Sequence, residues 1–311
     1  MTASEVAIQE APPRTQSRRR RRMYTDCGAA VLLWVAAMSS IAITCGIVAV
    51  LVLESIPFFA QVGVVTFLTD TEWMPLFANA RFGILPLVTG TLVTTVIALS
   101  VAMPVGTVVA IYLSEFAPHR LREILKPVLE LLSAVPTVVY GYFALLFVTP
   151  LLQQVFPELP TFNMLGAGIV MGIMIIPYVS SLSEDAMRGV PRLLREGAYA
   201  MGANKILTAL KVVYPAALSG IGSSYVLGIS RAVGETMIVA IAAGMQPNLT
   251  FNPADQAATI TAFIVQVSQG DLPHGSIGYQ SIFAAGVVLF AMTLVFNIAG
   301  YRLRKRFREA Y

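Results

Sequence analysis

Residues 188–215 read RGVPRLLREGAYAMGANKILTALKVVYP, and the arrangement of the whole chain follows from this stretch. It is the longest polar interval between two apolar runs on the basic side of the protein. It carries Arg188, Arg192, Arg195, Lys205 and Lys211, while its middle, Gly197 to Ala203, is small and apolar. Gly202 followed by Asn204 reads as a helix stop and a new N-cap, which predicts two short helices with a bend between them. A bend that presents a small apolar face beside basic residues suits a knob entering a groove on another subunit.

Outward from that stretch the composition is that of a membrane protein: 56% of residues are hydrophobic and 12% charged, with a mean hydropathy of +0.73. A bilayer core about 30 Å thick needs about 20 apolar residues of helix. Five charge-free runs meet this, 27–53, 82–114, 131–157, 159–183 and 272–301, and a sixth, 212–244, is interrupted only by Arg231 and Glu235. The expectation is an all-α integral membrane protein with six transmembrane helices, near 28–53, 84–113, 131–152, 164–183, 217–244 and 280–301. Residues 23–311 then form one transmembrane domain, and residues 1–22, ending in Ser17 and five arginines, a disordered basic arm held at an anionic leaflet. The run after that arm is too long for a signal peptide and lacks its cleavage pattern, so it reads as a retained span.

The connecting segments alternate in charge. Segment 54–81 holds three acids and one arginine, 115–130 holds Arg120, Arg122 and Lys126, and 245–271 holds two aspartates and no Lys or Arg. Of 21 Lys and Arg residues, all but Arg81 and Arg231 fall in four clusters on one side. That distribution is the positive-inside pattern and places both termini in the cytoplasm. It also explains the net charge of +4 without a nucleic-acid partner, leaving membrane lipid as the neighbour of the apolar surface. Within 245–271, residues 254–268 read as an interfacial or re-entrant helix too short to cross. Cys27 and Cys45 lie about 27 Å apart along one helix and cannot pair within it. Pro86, Pro104, Pro136 and Pro177 fall inside or at the ends of spans, where each frees a carbonyl.

Arg231 and Glu235 are four apart and therefore share one helix face. Each charge near the bilayer centre costs roughly 2.5–3.5 kcal/mol, so a functional role is the better reading than a structural ion pair. Arg offers a planar fork of donors for an oxyanion. A carboxylate beside it accepts only, which favours an anion carrying its own proton; hydrogen phosphate does so and sulfate at neutral pH does not. A proton relay or a plain ion pair would use the same two residues.

Glu196-Gly197-Ala198, Gly202 six residues after the Glu, and Val212-Val213-Tyr214-Pro215 resemble the EAA loop of importer permeases of the ATP-binding-cassette class. That pattern is Glu-Ala-Ala, three residues, Gly, nine residues, then Ile-x-Leu-Pro. Gly197 departs from Ala, at about 1 kcal/mol of helix stability, and Val212 and Tyr214 replace Ile and Leu. Further stretches resemble the PstC-type permeases of phosphate-specific importers: Thr69 to Pro75 with Phe82 to Pro86, Leu131 to Gly141, and Ser230 to Thr236. The resemblance implies the type I importer permease fold and a heterodimer with a paralogous PstA-type permease. It further implies two ATP-binding-cassette subunits, an external phosphate-binding protein and a place in the bacterial plasma membrane. Glu196, Gly197, Ala198, Tyr199, Ala200, Met201, Gly202, Ala203 and Asn204 would couple to the ATPase, and Arg231, Glu235, Ser230 and Thr236 would lie on the phosphate pathway.

The chain has no Gly-x-x-x-x-Gly-Lys-Ser/Thr loop, so ATP and Mg are expected on partner subunits and no cofactor on this one. Neither His119 nor His274 has Cys, Asp or Glu arranged around it as metal ligands. No Gly-x-Ser-x-Gly or His-Glu-x-x-His set occurs, so the expectation is a non-catalytic transport subunit. Lys126 and Glu130, four apart, are expected to form a salt bridge at the membrane edge. The competing readings are a permease for another oxyanion, an ion-coupled transporter or channel using Arg231 and Glu235, and a membrane scaffold.

Overall fold

The computed structural model describes residues 14–75, 79–270, 273 and 275–306. The chain divides into two compact units, the first ending at Leu53 and the second starting at Glu54. The first unit is most of helix α1 (Arg14–Val62). Residues 14–22, expected in a disordered arm, are therefore helical, and residues 1–13 lie outside the described residues. Leu32, Leu33 and Trp34 are each more than 60% exposed, as fits a helix that is apolar all round.

The second unit opens with α2 (Val64–Thr69) and a two-stranded antiparallel hairpin, β1 (Trp73–Met74) and β2 (Arg81–Phe82), with Trp73 opposite Phe82. Edge-on aromatic contacts hold this part together: Phe67, Phe82 and Phe263 meet the Trp73 ring at 6.1, 6.1 and 4.9 Å between centroids. Next comes α3 (Leu85–Ile111), with Pro86 in its first turn, where a missing N–H costs nothing. It ends in a π-helical turn, Tyr112–Phe116, closed by Ala117 N–H donating to Tyr112 O at 2.8 Å.

Beyond lie α4 (His119–Ala134), α5 (Thr137–Phe143), a second π turn (Ala144–Val148) and α6 (Thr149–Val155). The expected span over 131–152 is thus split. A residue before proline avoids the helical region, and Val135 before Pro136 is extended, at ψ 131°. The second π turn precedes Pro150, and a third (Ala209–Val213) precedes Pro215; the wider turn makes room where a proline ring would strike the carbonyl four residues back.

The remaining helices are α7 (Met164–Arg188), α8 (Arg192–Ala200), α9 (Lys205–Thr208), α10 (Tyr214–Ala216), α11 (Leu218–Val233), α12 (Met237–Ala242), α13 (Ile260–Ser268) and α14 (Ile277–Arg306). Five helical stretches are long and apolar enough to cross a membrane, and six if Lys205–Ala216 and Leu218–Val233, bent by 70°, count as one. The all-α six-span expectation holds in that sense, although the 70° bend falls at the start of the expected fifth span and a second break follows between Val233 and Met237. α7 is the most enclosed span. It meets α3 backbone to backbone, since a Cβ on Gly172 would lie 2.7 Å from the Ala98 carbonyl oxygen. α13 is shorter than the helix expected over 254–268, and Ile260, Phe263 and Val267 pack it into the protein.

Candidate functional site

The loop over residues 188–215 is built as its residues dictate. α8 stops because Gly202 takes φ +84°, a conformation that L side chains resist. Gly202 N–H donates to Tyr199 O at 2.9 Å and Ala203 N–H to Ala198 O at 3.0 Å, a Schellman ending. Asn204 then caps α9, its Oδ1 accepting from Leu207 N–H at 2.8 Å. The two short helices and their bend are both present. Glu196, Gly197, Tyr199, Ala200, Met201, Gly202 and Asn204 are exposed, with Ala198 and Ala203 half-buried. Met201 is 89% and Leu193 77% exposed, so the knob shows an apolar face. No atom lies within 4 Å of where a Gly197 Cβ would sit, so that departure from Ala relieves no crowding.

Behind the knob lie two ionic anchors that the sequence reading did not identify. Arg195 pairs with Glu115 at 2.9 Å and donates to the carbonyls of Val190 and Met187 at 2.7 and 2.8 Å. It thereby fastens α8 to the end of α7 and to the π turn closing α3. Lys205 lies 5.3 Å over the Phe116 ring of that same turn. In the second anchor, Glu184, with no exposure, accepts from Arg122 at 2.8 Å and Lys126 at 2.9 Å, with Arg188 at 3.7 Å. Lys126 also reaches Asp185, so the expected Lys126–Glu130 bridge is replaced by a long-range one joining α4 to α7. Burial acts to lower the Lys126 pKa, but its hydrogen bonds to Asp185 and Glu184 outweigh it and raise the ammonium above its usual value. A cleft of about 430 Å³ opens between these anchors, lined in part by Arg188, Arg192, Glu196 and Tyr199. His119, on its rim, lies 3.3 Å from Glu123, and His274 is outside the described residues.

The fifth span breaks at its charged pair. α11 ends at Val233, so Glu235 lies beyond the helix and not on its face as expected. Its carboxylate turns to the start of α12, Oε1 accepting from Met237 and Ile238 N–H at 3.2 and 3.4 Å. Thr261, on α13, donates to the Glu235 carbonyl at 2.6 Å. Oε2 stands 3.7 Å from Arg231 Nη2, too far for a hydrogen bond. The two side chains differ sharply: Glu235 is 3% exposed and Arg231 41%, so the buried cation expected from sequence is a half-open one. Its hydrogen bond among the described residues goes to Met174 Sδ at 3.9 Å, and the Tyr178 ring lies 6.0 Å away. A guanidinium with spare donors beside a fixed carboxylate with a spare acceptor can hold an oxyanion that carries a proton. Ser230 and Thr236 stand apart from this arrangement. Ser230 donates to Asn297 on α14 at 3.0 Å, and Thr236 donates to the Gly234 carbonyl at 3.3 Å. Among the described residues no group of three or more His, Cys, Asp and Glu could hold a metal ion.

Residues 102–309 match the family model described as the binding-protein-dependent transport system inner membrane component. A probable ABC transporter permease protein, YqgH of Bacillus subtilis, is 34% identical, covering 95% of this chain and 94% of its own length. The phosphate transport system permease protein PstC of Mesorhizobium japonicum is 31% identical, covering 96% and 97%. Among solved structures, a bacterial ABC transporter involved in import of the acidic polysaccharide alginate superposes with a TM-score of 0.63. That alignment covers 93% of this chain and all of the other, at 16% identity, and so speaks for the fold alone.

Proposed function

Since the chain belongs to the inner membrane components of binding-protein-dependent transport systems, we propose that it is the permease subunit of an ATP-binding-cassette importer for inorganic phosphate. The observation that carries this reading is the bent, exposed Glu196–Asn204 knob, spaced as in importer permeases and rigidly backed, in a chain whose relatives across nearly its whole length include phosphate transport permeases. The chain pairs with a second, PstA-type permease. Two cassette subunits bind ATP and Mg and press on the knob, and an external phosphate-binding protein delivers the anion. Both termini lie on the cytoplasmic side of a bacterial plasma membrane, a placement the basic clusters support. Hydrolysis belongs to the cassettes, and this chain contributes a path.

Along that path Arg231 presents its fork to phosphate while Glu235 accepts a hydrogen bond from the proton that hydrogen phosphate keeps. Ser230 holds α11 to α14 and Thr236 closes the break at Gly234, so their part is to shape the path. The test is reconstitution of this chain with its second permease, cassettes and binding protein in liposomes. ATP should drive radiolabelled phosphate inward. Phosphate entry driven by a proton gradient, without ATP or cassettes, would refute the reading.

A further inference from the structure

Two tethers of the knob converge on one place, the π-helical turn Tyr112–Phe116. Glu115, 6% exposed, holds Arg195 of α8 at 2.9 Å, and Phe116 lies under Lys205 of α9 at 5.3 Å. Both arms of the bend are thus pinned to the base of a single helix. A π turn carries one extra residue, so its hydrogen bonds can shift by one position without unwinding the helix that bears it.

That helix is α3, whose 27 residues reach about 40 Å at 1.5 Å per residue. Near its other end Gly90 sits so close to the Ala258 carbonyl that a Cβ would collide with it. One residue on, Thr91 Oγ1 accepts from Ile260 N–H at 3.1 Å. These contacts hold the start of α13, and α13 in turn supplies the Thr261 hydroxyl bonded to the Glu235 carbonyl at 2.6 Å. One continuous helix therefore touches the support of the knob at its base and the support of the charged pair near its top.

We infer that Glu115 is a positioning residue for transport, fixing the knob to α3 so that a push on Glu196–Asn204 moves α3 and, through Thr91 and α13, shifts Glu235 relative to Arg231. This rests on the importer reading above. It differs from contact between knob and cassette, because Thr91 is buried and the Glu115 side chain, 6% exposed, is occupied by Arg195.

The experiment uses the whole reconstituted complex and measures phosphate taken up per ATP hydrolysed. In E115Q and in T91V, hydrolysis should stay within about twofold of wild type while uptake per ATP falls at least about fivefold. The two sites are separated along α3 by roughly 36 Å at its rise of 1.5 Å per residue, so a shared local lesion cannot explain both. An unchanged ratio in E115Q overturns the inference. So does a parallel loss of hydrolysis and uptake, which marks a merely structural residue. Absence of ATP-driven uptake in the wild-type complex would instead overturn the importer reading, and this inference with it.

Discussion

Removing the Glu184 carboxylate tests the anchor between α4 and α7. The side chain has no exposure and accepts two charged hydrogen bonds, from Arg122 at 2.8 Å and Lys126 at 2.9 Å. Deleting a hydrogen bond to a charged group costs about 1.5–3 kcal/mol. The upper figure is out of reach here, because the two cations are 21% and 23% exposed and regain some water once the carboxylate has gone. Two bonds at the lower end give about 3 kcal/mol for E184A. E184Q keeps an acceptor oxygen for one cation and should cost about half as much, on the order of 1.5 kcal/mol. Equilibrium unfolding of the detergent-solubilised chain measures both, with E130A as control. Glu130 is exposed and has no ion pair among the described residues, so it should stay within about 0.5 kcal/mol of wild type. A double-mutant cycle with R122A should give a coupling of roughly 1–3 kcal/mol. An E184A effect below about 1 kcal/mol, or no larger than that of E130A, would refute the claim that this carboxylate fastens the two helices.

R231K keeps the positive charge but loses the planar fork, so phosphate uptake should fall by at least about tenfold, corresponding to one lost bond of about 1.4 kcal/mol or more. An unchanged rate in the liposome assay would exclude direct contact between guanidinium and anion. G202V places a β-branched residue at φ +84°, which costs about 1–2 kcal/mol or more and reshapes the bend rather than the span. Membrane insertion and expression should hold while ATP-driven uptake is lost; surviving uptake would locate the coupling contact elsewhere.

The parts legible in the sequence are those whose cause is local. Gly202 and Asn204 ended one helix and began the next because a positive φ and a side-chain cap are properties of single residues. The spans were legible because about 20 apolar residues suffice for a bilayer whatever their neighbours are. Pro136, expected inside or at the end of a span, ended one helix and started another, an effect exerted on the residue before it. Glu115 and Glu184 were illegible for a different reason. Each stands just past an apolar run and looks like the edge of a span, and only the tertiary packing that brings Arg195, Arg122 and Lys126 to them turns an edge into a buried anchor. The one hint was an acid enclosed on the side where bases gather.

The charged pair marks where local reasoning fails most usefully. A spacing of four implies a shared helical face, and that inference assumes the helix continues from Arg231 to Glu235. Gly234 lets it stop, but a permissive residue does not force a break. What holds the break open is spread over three elements: the start of α12 takes the Glu235 carboxylate, Thr261 of α13 takes its carbonyl, and Thr91 of α3 fixes the first residue of α13. Had the helix run on, Arg231 and Glu235 could have closed into a mutual salt bridge with little left for a third party. Because it stops, the carboxylate is committed to backbone N–H groups on one oxygen, and the guanidinium, 3.7 Å from the other, keeps its donors. The break therefore leaves Arg231 and Glu235 as a loose ion pair whose guanidinium donors the carboxylate does not take up.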